Sequence, residues 1–518
     1  MQVYNSVLEL IGNTPIVRIN HLDTGPCTLY IKLESQNPGG SVKDRIGLKM
    51  IEDAEKAGMI KPGATLVEGT AGNTGLGLAL VAAQKGYKLI LVIPDKMSRE
   101  KISNLKAMGA EVVLTRSDVA KGHPEYYQDL AQSMADEIEG AFFINQFGNP
   151  SNPKAHEEIT APEIWDQMNH DLDAIVLGVG SSGTVTGLSH YFSHVAPDLE
   201  LVLADPVGSI LAEYINDGVI SDKSASWLVE GIGEDFLPTI SDFTHISKAF
   251  SISDKESMLM GRELLNKEGI LGGSSTGTLV AAALKYCRQQ TEPKKVLTFA
   301  CDTGNRYLSK MYNDFWMRDQ GFIETEHHGN LLDLIARPFE SNDTVTVGPD
   351  EPLANAYSRM KLYDVSQLPL IRGRKIVGFI DESDLLLAVA NSNDSFNQPV
   401  SSAMVTELAS VDVNDPIEDL MPIFHKDFIA IVTDGERFLG LNVDGVIIDD
   451  DSFSEQFEKA LEVDAFLQPL QGEFDILGRK RVAAVEFDAF AQEKAYGQII
   501  DTLPAGSQPG HNPSSISY

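Results

Sequence analysis

Residues 174–187 read AIVLGVGSSGTVTG, a short apolar run that leads directly into a turn rich in Gly, Ser and Thr. The apolar run predicts a buried strand, and the turn is typical of a helix start. Residues 65–77, TLVEGTAGNTGLG, repeat the pattern. Amphipathic stretches separate further apolar runs, which are 29–33, 89–93, 201–203 and 296–300. This alternation predicts an α/β fold with a mostly parallel sheet, in which ligands bind at the carboxyl ends of the strands.

Glycine-rich helix starts form the candidate binding site. Backbone N–H groups and the helix dipole attract an anion there, and the hydroxyl groups of residues 178–187 suit a phosphate. This turn has no P-loop lysine and residues 69–77 lack the GxGxxG pattern, which disfavours a nucleoside triphosphate and a dinucleotide. Asn73 offers an amide that can hold a phenolic oxygen. Residues 272–277, GGSSTG, form a third such turn. Because each turn alone could be only a helix start, their combination carries the prediction.

Lys43 is the candidate catalytic residue, within residues 39–45, GGSVKDR. Ser41 is expected to cap the helix that follows. Burial among small residues disfavours the charged form of a lysine, and a neutral amine can form a Schiff base with an aldehyde cofactor and then move protons. The alternative is a surface lysine that pairs with Asp44 at a helix start. The three glycine-rich turns favour the catalytic role.

Together these motifs resemble those of the fold-type II pyridoxal-phosphate enzymes, specifically the cystathionine β-synthase and cysteine synthase family. The resemblance covers residues 5–320 and includes residues 11–15, IGNTP. It implies a catalytic domain at 1–322 with two open, mostly parallel sheets flanked by helices, and pyridoxal 5′-phosphate as the cofactor. Animal members carry haem on an N-terminal extension, and no haem is expected here because only 42 residues precede Lys43.

The resemblance also implies roles for particular residues. Lys43 would bind the cofactor as a Schiff base and then act as the base at the substrate Cα. The other cofactor-binding residues would be Asn73 at the 3′-oxygen, Gly180, Ser181, Ser182, Gly183 and Thr184 at the phosphate, and Ser274 at the pyridine nitrogen. The substrate-binding residues would be Thr70, Ala71, Gly72, Thr74, Gln146, Glu230 and Gly231. Ala71 stands where serine is common, which puts one hydroxyl contact in doubt.

The implied reaction condenses L-serine with L-homocysteine to L-cystathionine through an aminoacrylate intermediate. Homocysteine is favoured by residues 230–233, EGIG, and 205–211, DPVGSIL, which resemble the cystathionine β-synthase versions of these loops. Glu234 stands where the animal enzymes have tyrosine, so part of the second-substrate site differs. The alternatives are an O-acetylserine-dependent cysteine synthase, an enzyme that releases hydrogen sulfide, and a catalytically silent ligand sensor.

A degenerate repeat occupies residues 334–450. Residues 350–353, DEPL, recur as 414–417, NDPI, and each copy predicts helix, strand, turn, strand and helix. The repeat resembles an α+β Bateman module with copies at about 334–396 and 397–450, after a linker at 323–333. Bateman modules often bind adenosyl ligands through a Thr/Ser-x-x-Asp pattern. The first copy has the aspartate, Asp384, but not the Thr or Ser, and residues 443–446 of the second copy have neither. Activation by S-adenosylmethionine is therefore expected to be weak or absent.

The composition limits the partners. A formal net charge of −34 over 518 residues argues against nucleic acid and an anionic membrane surface. No stretch predicts a transmembrane helix or a signal peptide, so a cytoplasmic protein is expected, with small-molecule substrates as partners. No metal site is predicted, and the three cysteines are expected to be reduced packing residues. The family implies a homodimer and leaves higher assembly open. Residues 451–518 have no predicted structure, and 507–518 are expected to be disordered.

Overall fold

The computed structural model describes most of the chain. The described residues are 3–70, 72–95, 97, 99–119, 121–220, 225–324, 328–335, 337–340, 344–390, 395–424 and 430–442. Ala71, the second-copy pattern at 443–446 and the C-terminal extension at 451–518 therefore lie outside the described residues. The chain divides into two compact units, Met1–Ile323 and Glu324–Tyr518. Each unit has its own hydrophobic core and is described separately.

The first unit alternates strands and helices. Its strands are β1 (Ile16–Arg18), β2 (Thr28–Lys32), β3 (Thr65–Gly69), β4 (Lys88–Pro94), β5 (Glu111–Thr115), β6 (Phe142–Phe143), β7 (Ala174–Leu177), β8 (Glu200–Pro206), β9 (Ile246–Ile252) and β10 (Lys295–Phe299). Its helices are α1 (Lys43–Lys56), α2 (Asn73–Lys85), α3 (Arg99–Ala107), α4 (Tyr127–Glu137), α5 (Ser151–Ala155), α6 (Ala161–Gln167), α7 (Gly183–Val195), α8 (Leu211–Asp217), α9 (Asp254–Glu268), α10 (Ser274–Arg288) and α11 (Asp314–Asp319). A π-helical turn, His156–Thr160, joins α5 to α6.

The strands of the first unit form two open sheets. The larger has the order β1-β2-β10-β7-β8-β9, and every neighbouring pair is parallel except β1 with β2. The smaller has the order β5-β4-β3-β6 and is parallel throughout. Helix α10 packs against the larger sheet and is buried along almost its whole length. The predicted fold class, with two mostly parallel sheets, is confirmed.

Helices α1 and α2 cross in close contact, and this crossing places Lys43. A Cβ atom on Gly47 would lie 2.8 Å from the carbonyl carbon of Gly77, and one on Gly77 would lie 2.7 Å from the carbonyl oxygen of Lys43. Backbone can approach backbone this closely only where neither residue has a side chain. The first turn of α1 is thereby held against the glycine-rich turn that opens α2.

The second unit is α+β, as predicted. Its strands and helices are β11 (Arg337–Pro338), α12 (Leu353–Tyr363), β12 (Gln367–Arg372), β13 (Lys375–Asp381), α13 (Glu382–Ala390), β14 (Ser410–Asp412), α14 (Met421–Phe424), β15 (Ala430–Asp434) and β16 (Arg437–Asn442). Strands β12 and β13 form an antiparallel hairpin, and a second sheet has the order β11-β16-β15-β14. Strand β11 therefore pairs with the second copy of the repeat, although it lies at the start of the first copy in the chain.

None of the helices in the described ranges has the length and hydropathy needed to cross a membrane. Within the same ranges, no three His, Cys, Asp or Glu side chains come together as a metal site. All three cysteines are free thiols, and two of them are buried.

Candidate active site

Lys43 begins α1 and is partly buried. Its backbone N–H donates to the Ser41 hydroxyl at 3.3 Å, although the residue in the cap position is Val42. Desolvation lowers the pKa of the Lys43 amine, and the nearby Cys301, Glu234 and Asp302 oppose that shift without reversing it. A lysine with a lowered pKa is a good Schiff-base former, because the neutral amine is the nucleophile.

The turn before α7 is an anion cradle. Ser182 adopts φ of +64° immediately before the helix begins at Gly183, and its buried Oγ has no hydrogen-bond partner. No side chain caps the N–H groups of this helix end. A Cβ atom on Gly183 would lie 1.8 Å from Oδ1 of Asn152, so only glycine fits there. A buried hydroxyl without a partner, beside uncapped N–H groups, fits the phosphate of pyridoxal phosphate.

The helical segment from α5 to α6 holds residues of this cradle in place through hydrogen bonds. The Asn152 side-chain amide donates to Ser181 Oγ at 3.0 Å and to the Gln146 carbonyl at 2.8 Å. In the π-helical turn, His156 Nε2 lies 3.2 Å from Thr184 Oγ1, and Nδ1 lies 3.0 Å from Thr160 Oγ1. Burial lowers the pKa of His156 well below its usual value, and the positive charges of Lys43 and Arg45 add to this effect. The imidazole is therefore a neutral hydrogen-bonding support for Thr184.

Asn73 begins α2 and faces a group of polar residues that follow β10. Its Nδ2 donates to Asp302 Oδ2 at 2.9 Å, and its Oδ1 accepts from Arg306. Tyr307 donates to the same Asp302 oxygen at 2.8 Å. An amide nitrogen has two hydrogens, so one remains for the predicted bond to the cofactor's 3′-oxygen.

Ser274 begins α10 and is fully buried. Its Oγ accepts the backbone N–H of Glu230 at 2.9 Å, so Glu230 lies beside it. The Glu230 carboxylate is paired, with Lys310 at 3.0 Å and with Lys101. Gly231 has φ of +85°, and its carbonyl oxygen packs against Gly180.

The turn after β3 meets Gln146, and together they can bind a carboxylate. Thr74 Oγ1 donates to Gln146 Oε1 at 2.7 Å. The Gln146 side chain also hydrogen-bonds to Glu68, so one of its two amide hydrogens remains for a ligand. Gly72 N–H donates to Thr70 Oγ1 at 3.4 Å and so shapes the turn. The backbone N–H of Gln146 donates to Oε1 of the buried Glu68 at 3.4 Å, and desolvation raises the pKa of Glu68 to about 8.

Four supporting residues of this site were missed from the sequence: Glu68, Asn152, His156 and Asp302. Asp302 could have been found, because it comes almost directly after the apolar run at 296–300 and so lies at the carboxyl end of a predicted strand. Glu68 ends a predicted strand in the same way. Asn152 and His156 lie on a helix and carry no comparable mark in the sequence.

The fold and the lysine-centred site define a pyridoxal-phosphate dependent enzyme, and the family model with that description matches residues 7–302. A CBS domain model matches residues 336–391, which correspond to most of the first copy of the repeat.

A similar protein with a known name agrees with both family-model matches. The chain is 34% identical over 457 residues to a protein named cystathionine β-synthase from Dictyostelium discoideum, with 85% of this chain and 90% of the relative covered. It therefore belongs to the cystathionine β-synthase family. The predicted family and the predicted pyridoxal-phosphate enzyme are thus confirmed.

Two solved structures resemble the first unit. One is a hydrogen sulfide-producing enzyme from Fusobacterium nucleatum, 37% identical with a TM-score of 0.55, covering 59% of this chain and 100% of its own. The other is an O-acetylserine dependent cystathionine β-synthase from Helicobacter pylori, also 37% identical with a TM-score of 0.55, covering 60% of this chain and 99% of its own.

Proposed function

We propose that this enzyme condenses L-serine with L-homocysteine to give L-cystathionine and water. The observation that carries this proposal is the alignment with a named cystathionine β-synthase across most of the chain, including part of the repeat. Bound pyridoxal phosphate would supply an electron sink for the substrate carbanion. The residues of this chain would position the substrate, exclude water and move protons.

The proposed cofactor site follows from the contacts of the described residues. Lys43 Nζ would hold the cofactor and later carry a proton to and from the substrate Cα. The hydroxyls and N–H groups of residues 180–184 would hold the phosphate, with Asn152 and His156 fixing the loop. Asn73 would donate its remaining amide hydrogen to the 3′-oxygen. The Ser274 hydroxyl, unlike a carboxylate, would leave the pyridine nitrogen largely unprotonated and so favour elimination at Cβ.

The first substrate's carboxylate would bind at the start of α2. Thr70, Gly72 and Thr74 line this turn together with Ala71, and Gln146 faces it through the bond from Thr74. Glu68 lies directly behind Gln146, where a negative charge would repel the substrate. Its raised pKa keeps this carboxyl neutral at neutral pH.

The second substrate would bind near Glu230, which the resemblance places among the substrate-binding residues. The Glu230 carboxylate pairs with Lys101 and Lys310. The relatives named cystathionine β-synthase are the reason for proposing homocysteine as this substrate.

A competition experiment tests the proposal. Purified enzyme is given serine or O-acetylserine with homocysteine or sulfide, and the products are resolved by mass. We expect the highest kcat/KM for serine with homocysteine. Faster turnover with sulfide than with homocysteine would contradict the proposal.

The solved structures favour a second candidate function. The names of the two similar structures include hydrogen sulfide production and dependence on O-acetylserine. The same competition experiment detects both activities. The catalytically silent sensor is disfavoured by the family, and a near-visible absorbance bleached by borohydride would exclude it.

We further propose a cytoplasmic homodimer without haem, as expected from the sequence. Light scattering of the purified full chain measures the assembly. A Soret band in its spectrum would contradict the absence of haem.

A further inference from the structure

Hydrogen bonds and close packing hold the backbone of Glu234 in place. Its N–H donates to Ser209 Oγ at 3.1 Å, and its carbonyl accepts from the Ser209 hydroxyl and from the Ile210 N–H, both at 3.1 Å. The preceding Gly233 has φ of +90° and packs so closely on Pro206 that a Cβ atom would lie 2.5 Å from it. The position from which the Glu234 side chain extends is therefore fixed.

The carboxyl group of Glu234 is near both Lys43 and the phosphate cradle. A Cβ atom on Gly180 would be 4.0 Å from Glu234 Oε1. Lys43 is close enough for each of the two groups to shift the pKa of the other. In the part of the chain that the structure describes, no hydrogen bond is made to this carboxyl group. Unlike Glu230, it is thus left available to a substrate.

The surroundings keep a proton on Glu234. Desolvation raises its pKa well above the usual value, Asp235 and Asp205 raise it further, and Lys43 opposes them. Two further ionisable neighbours among the described residues are Tyr126 and Tyr127, whose own pKa values are raised, chiefly by desolvation and in small part by Glu234. Both phenols are therefore neutral. At neutral pH Glu234 can donate a proton, and it can take one back after losing it.

The replacement of a hydroxyl by a thiol at Cβ requires a group that can both donate and accept a proton. When the C–O bond breaks, the oxygen keeps the electron pair and needs a proton to leave as water. When the thiol sulfur bonds to Cβ, the thiol must lose its proton. Lys43 takes the proton from Cα and returns one to the same carbon, and a separate carboxyl group allows the protons at Cβ to be supplied and removed without using the Lys43 amine.

We propose that Glu234 is the catalytic acid and base at Cβ. It gives its proton to the departing hydroxyl oxygen, which leaves as water, and its carboxylate then takes the proton of the incoming thiol as the C–S bond forms. Each cycle restores the protonated carboxyl, and no oxidant or reductant is consumed. The inference rests on the proposed function, because an acetate leaving group would not need the first proton.

The test compares leaving groups in the variant Glu234→Gln. The first half reaction is followed by stopped-flow absorbance of the holoenzyme, without thiol, using serine and then O-acetylserine. We expect the rate with serine to fall by about 100-fold or more, and the rate with O-acetylserine to stay within about three-fold, because acetate leaves without a proton. Glu213→Gln, at an exposed carboxylate on α8, is the matched control and should leave the rates with both donors unchanged.

The outcomes separate this inference from the proposed function. A donor-selective loss in Glu234→Gln supports it. Equal losses with both donors, or a loss confined to the thiol step, contradict the proposed role of Glu234 and leave the proposed function unaffected. A wild-type enzyme that reacts with O-acetylserine but not with serine overturns the proposed donor, and the proton transfer to hydroxyl with it.

Discussion

The carboxyl group of Glu68 is buried beneath the residues proposed to bind the substrate carboxylate. Its Oε2 has no hydrogen-bond partner, and its Oε1 accepts the Gln146 N–H at 3.4 Å. Desolvation outweighs the hydrogen bonds from Gln146 and Asn145 and raises the pKa of Glu68 to about 8, so the group is protonated in the folded state at neutral pH. This neutral carboxyl supports Gln146 without placing a negative charge behind the substrate.

We expect the stability of the wild type, relative to the variant Glu68→Gln, to fall as pH rises. The unfolded carboxyl ionises near 4.5, while in the folded protein its pKa is about 8. Between these pH values the folded protein binds a proton on Glu68 that the unfolded chain has released, so a rise in pH favours the unfolded state. The resulting loss in the free energy of unfolding of the wild type reaches at most about 5 kcal/mol above pH 8. The glutamine of the variant does not ionise and adds no such pH dependence.

Urea unfolding between pH 5 and 8 measures this difference. Tryptophan fluorescence follows the first unit alone, because all three tryptophans, Trp165, Trp227 and Trp316, lie in it. A difference in unfolding free energy that stays constant with pH would contradict the raised pKa.

At the scale of elements, the crossing of α1 and α2 joins the lysine to the substrate turn. Both helices begin at site residues, Lys43 and Asn73, and their closest approach involves glycine on each side. A shift between the two helices would therefore move the amine away from the turn that binds the substrate.

We expect Gly77→Ala to separate these helices. Its Cβ atom would lie 2.7 Å from the backbone oxygen of Lys43, which cannot move without the helix. Overpacking of this kind costs about 1–3 kcal/mol. The measurements are urea unfolding and retention of pyridoxal phosphate after dialysis. The matched control is Gly75→Ala on the same helix, because there a Cβ atom meets only movable side-chain ends. Equal losses in both variants would refute the crossing as the cause.

The sequence predicts local order in this protein better than contacts between distant segments. The pattern at 174–187 predicted the strand β7 and the start of α7, because periodicity and turn residues act locally. The partners of Glu230 were not predictable, because Lys101 and Lys310 come from distant segments that only the fold brings together. Ser41 shows the limit at helix ends: its hydroxyl contacts the first turn, while the helix begins one residue later than expected.

At the scale of the whole molecule, the second unit repeats a small α+β pattern. The hairpin of β12 and β13 leads into α13, at the point where the predicted adenosyl pattern falls. Asp384 Oδ2 accepts the Asp381 N–H at 3.0 Å, and Asp381 Oδ1 accepts the Asp384 N–H at 2.8 Å. This reciprocal pair is a capping box, so the Asp384 carboxylate is already engaged in starting a helix.

We therefore expect S-adenosylmethionine to leave the full-length enzyme unaffected, with an activation factor below about two, a coupling free energy under about 0.4 kcal/mol. Calorimetry should show no binding heat. Asp384→Ala should instead lower the stability of the second unit by about 1 kcal/mol through loss of the cap, while the rate of the first unit stays unchanged. Glu407→Ala, at an exposed position of the same unit, is the control for stability. Tight binding accompanied by activation, and lost in Asp384→Ala, would contradict the capping role and assign the carboxylate to a ligand.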